Sequence, residues 1–128
     1  MYKAAFTLSF ACFLCSSKVI WDQHSDPVMV LHISNIEMSA NHTTVTLPAS
    51  KTDPFCLGIK VVAPLVGGPK CPISHLQCLL ANCSASSPLF GLGMSGFDPF
   101  PHMSFVAVLH RAIVATGLVP AAYTGHSF

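Results

Sequence analysis

The segment from Thr43 to Leu47 alternates, with Val45 and Leu47 on one side and Thr44 and Thr46 on the other. A period of two built from β-branched residues predicts a strand buried on one face. Leu57 to Ala63 returns as a second apolar run, and Lys51-Thr52-Asp53-Pro54 between the two carries turn formers. The pair is therefore expected to form a β-hairpin with Lys51 at its tip. Elsewhere the period is helical. Phe6, Phe10, Phe13 and Leu14 recur on one face and predict a largely buried helix from Lys3 to about Val19. Cys71-Pro72 opens a second helix, since proline is favoured at the first helical position, and Ile73, Leu76, Leu79 and Leu80 give it an apolar stripe. A third spans Met103 to Thr116, with Phe105, Val108, Leu109 and Ala112 on one face and Gly117 as its stop.

Between these elements, Trp21 to Pro27 reads as a loop and Val28 to Ile33 as a short strand. Gly67-Gly68-Pro69 interrupts the chain, and the prolines and glycines from Ser84 to Pro101 prevent a long regular element there. Leu118 to Thr124 is expected to be a loop leading to Gly125-His126. No repeat or low-complexity tract is present. The expected fold class is α+β, mainly helical with a small antiparallel β-sheet, in one domain over residues 1–128.

Composition narrows the function. Charged residues make up 9% of the chain and apolar ones 52%, against a charged share of about 25% in ordinary soluble domains. Exposed apolar surface and self-association are expected. The net charge is +1 with six Lys and Arg, so binding of duplex DNA, which depends on neutralising phosphates, is expected to be weak. The apolar run ending at Leu14 is too short for a membrane span, and no membrane partner is expected.

The same run, behind Met1-Tyr2-Lys3, also has the form of a signal peptide. Six cysteines (Cys12, Cys15, Cys56, Cys71, Cys78 and Cys83) and the sequons at Asn41 and Asn82 keep open a small secreted protein with three disulfides. Within the apolar segment, Cys12 and Cys15 are expected to be buried thiols rather than a redox pair or half a zinc site. No histidine pair has ligand spacing, so neither metal nor cofactor is expected.

Three segments carry a resemblance: Ala5 to Lys18, Ser50-Lys51-Thr52-Asp53-Pro54-Phe55, and Tyr123-Thr124-Gly125-His126-Ser127-Phe128. In order and spacing they resemble the catalytic domain of tyrosine recombinases, most closely the integrase-like recombinases of retroelements, over nearly the whole chain. Such enzymes break and rejoin DNA through a phosphotyrosine link, with two arginines, a lysine and a histidine stabilising the phosphate. The resemblance implies that Lys51 is the general acid on the leaving oxygen and that His126 is the first position of the His-x-x-Arg box. It implies nuclear DNA as the partner.

The departures are equally specific. The family's Phe-Leu-Arg, followed three residues on by Glu, stands here as Phe13-Leu14-Cys15 followed by Lys18. Cys15 cannot make the forked phosphate contact of arginine, and Lys18 reverses the charge that orients it. Both changes are single-base transitions from arginine and glutamate codons, the expected mark of a decaying element copy. Neither Tyr2 nor Tyr123 stands where the family's nucleophile does, and Arg111 matches neither catalytic arginine. The chain is thus expected to be a partial, catalytically inactive domain, without the DNA-clamping domain or the nucleophile segment. A non-catalytic, domesticated DNA-binding module is the further reading left open.

Overall fold

In the computed structural model, which describes residues 1–48, 55, 57–81, 83–92 and 98–123, the alternating segment is strand β2 (His42–Leu47). Thr43, Val45 and Leu47 are buried on one face, as the period of two requires. β2 pairs antiparallel with β3 (Ile59–Pro64), in a register that sets Val45 against Val61 and Leu47 against Ile59. On its other edge it pairs with β1 (Ile36–Met38), a strand absent from the sequence expectation. The sheet order is β1-β2-β3. Among the described residues, this sheet and three α-helices, α1 (Tyr2–Ala11), α2 (Pro72–Leu80) and α3 (His102–Ala115), make an α+β fold.

The predicted first helix is cut short. α1 ends at Ala11, and Phe13 follows with φ of 52° in the left-handed region. The Leu14 N–H then donates to the Ser9 carbonyl at 2.9 Å and the Phe13 N–H to the Phe10 carbonyl at 3.4 Å. That pair of bonds is a Schellman stop, which usually has glycine at the left-handed position. Leu14 and Leu8 both belong to the core behind this turn, which explains why the chain reverses here in spite of the cost at Phe13.

The expected burial of α1 also needs correction. Ala4, Ala5, Leu8 and Ser9 are buried, whereas Phe10 and Phe13 are 74% and 85% exposed. α1 packs against α2, and small side chains permit close approach of the two helices. Apolar residues all round α1 hid this choice of face from its periodicity.

The expected strand from Val28 to Ile33 is instead a single 3₁₀ turn, Pro27–Met29, followed by extended residues. Asp26 accepts from the Val28 N–H at 3.0 Å and Pro27 fixes its own φ, so a cap and a turn displace the strand. Leu31 and Ile33 still find backbone partners, bonding Leu89 and Ser87 at 2.7 and 3.0 Å.

α2 begins with Pro72 at its first turn and buries Ile73 and Leu76, as expected. α3 ends on Gly117, φ 77°, whose N–H donates to Val114 at 2.9 Å while Leu118 donates to Ile113 at 3.3 Å. This is the same stop that closes α1, here with the residue that adopts the conformation freely. Phe105 alone of α3 is fully buried. It joins Phe6, Phe100 and Tyr2 in an aromatic cluster with centroid separations of 4.7 Å (Phe6–Phe105), 6.0 Å (Phe100–Phe105) and 5.3 Å (Tyr2–Phe100). Trp21 adds a ring N–H bond to the Phe90 carbonyl and a backbone bond to Phe100.

Candidate functional site

Of the three positions singled out for phosphate chemistry, the structure describes one. Lys51 and His126 lie outside the described residues. Cys15 is exposed, immediately after the Schellman turn and at the start of the short 3₁₀ segment Ser16–Lys18. Cys12 is buried, and desolvation raises its pKa above the ordinary thiol range. The two cysteines expected to be buried together therefore separate, because the turn at Phe13 sends Cys15 outward. Arg111 is exposed on α3, and Tyr123 is half-buried behind the 3₁₀ turn Pro120–Ala122.

Five cysteines (Cys12, Cys15, Cys71, Cys78 and Cys83) are described, and all are free thiols. Among the described residues no cluster of His, Cys, Asp or Glu has the makings of a metal site, and no helix is long and apolar enough to cross a membrane.

Two features escaped the sequence reading. The first is Cys71, fully buried ahead of α2. Burial works to raise its pKa, but the N–H and hydroxyl of Ser74 and the N–H groups of Val66 and Gly67 outweigh it and bring the thiol down to about 6. Ser74 does not close a regular cap hydrogen bond to the sulfur; these donors act as dipoles converging on it. Ser74 is placed by the first turn of α2, and the turn through Gly67 and Gly68 brings Val66 and Gly67 to the same sulfur, a convergence that residue types in the sequence did not signal.

The second feature is a groove of ≈ 700 Å³ where α1, the end of β3, the start of α2 and α3 meet. Phe6 and Phe10 line it from α1, Pro64 and Val66 from β3 and its exit, and Leu109 and Ala112 from α3. The predicted apolar stripe of α3 is thus real beyond Phe105, but half-buried at Leu109 and exposed at Ala112. Lys70 stands among the lining residues.

Comparison with protein-family models, curated proteins and solved structures finds no match.

Proposed function

We propose that this chain is a catalytically silent remnant of a retroelement tyrosine recombinase domain, keeping weak, non-specific contact with duplex DNA and no strand cleavage. The supporting observation is the order of elements: a helix, the antiparallel meander β1-β2-β3 with Lys51 in the β2–β3 connection, then α2 and α3 ahead of His126. A first helix, a small antiparallel sheet with the lysine between two paired strands, and helices after it make the order that the resemblance implies; β1 lies outside that expectation.

The silence follows from Cys15. An arginine presents a fixed positive charge and a fork of donors to a phosphate whose charge grows in the transition state. A thiol presents neither, and loss of one such contact costs about 3 kcal/mol of transition-state stabilisation, roughly two orders of magnitude in rate. Lys18 in place of the orienting glutamate removes the environment that would hold a replacement cation.

Incubation with a nicked suicide duplex, followed by denaturing electrophoresis, tests this reading. The expected result is a non-covalent mobility shift at low salt and no covalent protein–DNA adduct. A covalent adduct contradicts the silence, and the absence of any shift at low salt contradicts the DNA contact.

A further inference from the structure

The groove between α1 and α3 has the dimensions and chemistry of a ligand site, and we propose that it binds a single long-chain carboxylate. Its alkyl chain lies against Phe6, Phe10, Leu109 and Ala112, and its carboxylate meets Lys70. This inference is independent of the recombinase reading.

The volume, ≈ 700 Å³, falls within the roughly 300–1,000 Å³ of small-molecule pockets. The lining offers little to a polar ligand. Among the described lining residues Thr7 bears the hydroxyl, and its Oγ1 donates at 2.7 Å to the Lys3 carbonyl within α1. Its hydrogen-bonding capacity as a donor is thereby used, and a polar body in the groove would lose hydrogen bonds to water without replacement. An apolar body instead removes hydrocarbon surface from water on both sides of the contact.

Lys70 sets the sign of the head group. Among the described residues it is the charged member of the lining, and none of their acidic side chains pairs with it, Glu37 being engaged by Lys60 at 3.5 Å. One cation beside an otherwise apolar groove is complementary to one anionic group on an apolar chain. The concave form selects a dissolved monomer, since a flat bilayer surface does not reach the floor between two helices.

The test is displacement of a fluorescent long-chain carboxylate from the full chain by dodecanoate, dodecanol and dodecylammonium, each below its micelle concentration. Dodecanoate is expected to compete best and dodecylammonium worst. Lys70→Glu, in an exposed turn, should weaken dodecanoate about fivefold while leaving dodecanol unchanged. Ala112→Trp, at an exposed position of α3, should fill the groove and abolish displacement by all three.

Equal competition by the ammonium and the carboxylate overturns the proposal, as does binding indifferent to Ala112→Trp. Binding to anionic vesicles without displacement by monomeric dodecanoate assigns the surface to a membrane and also overturns it. Light scattering supplies the remaining arm: dimerisation that expels the probe as protein concentration rises makes a second copy the occupant.

Discussion

Phe13→Gly is expected to stabilise the protein, although it deletes a large apolar side chain. Phe13 holds φ at 52° to complete the stop after α1, a conformation that costs an L-residue about 1–2 kcal/mol. Being 85% exposed, its ring recovers little of that by burial. Glycine removes the strain but brings an unfolded chain with more freedom to lose, which takes back about 0.4–1 kcal/mol. The balance is a gain of about 0.5–1 kcal/mol. α3 supplies an internal comparison, because the equivalent position is Gly117 and the matching N–H bond is 2.9 Å there against 3.4 Å at Phe13. The assay is urea denaturation of wild type, Phe13→Gly and Phe13→Ala, with midpoints compared at constant slope. Phe13→Ala keeps the backbone penalty, so it should not share the gain. Equal stabilisation by alanine and glycine, or a lower midpoint for glycine, would refute the reasoning.

Other consequences are accessible to the same methods. Ser9 is fully buried in α1 and its Oγ has no hydrogen-bond partner, so Ser9→Ala should raise stability by about 1 kcal/mol; a fall in the denaturation midpoint would reveal a partner for the hydroxyl. Cys71, with its pKa lowered to about 6, should show thiolate ultraviolet absorbance with a midpoint near that value, and Cys71→Ser should lose that transition; a midpoint in the ordinary thiol range would contradict the cage of donors. Because the folded state releases this proton more readily than the unfolded one, stability should rise with pH between the folded and the ordinary thiol pKa. The contribution disappears as pH falls through about 6, and Cys71→Ser should flatten that rise.

How much of this was legible depended on whether the deciding contacts were local. The alternation of Thr43 to Leu47 marked β2 because a strand's two faces are written into adjacent residues. Pro72 and Gly117 marked the start of α2 and the end of α3 because each fixes backbone geometry at its own position. The end of α1 was missed because phenylalanine is not a residue that advertises a left-handed turn, and Leu14 drives it there only through the tertiary core. β1 is three residues long and needs β2 beside it to exist as a strand. The exposed stripe of α3 was readable as a pattern, but its meeting with Phe10, Val66 and Lys70 in one groove depended on the packing of four segments. For the site, the motif residues Lys51, His126 and Cys15 came from the sequence; the structure adds that Cys15 faces outward.

The salt dependence of duplex binding, compared between wild type and Lys51→Ala by fluorescence anisotropy, tests the recombinase reading most directly. With only six Lys and Arg in the chain, the account predicts a shallow slope of log affinity against log salt, about −2 to −3, and a decrease of about 1 in its steepness for Lys51→Ala. Identical slopes for the two proteins, or binding that does not respond to salt, would contradict it.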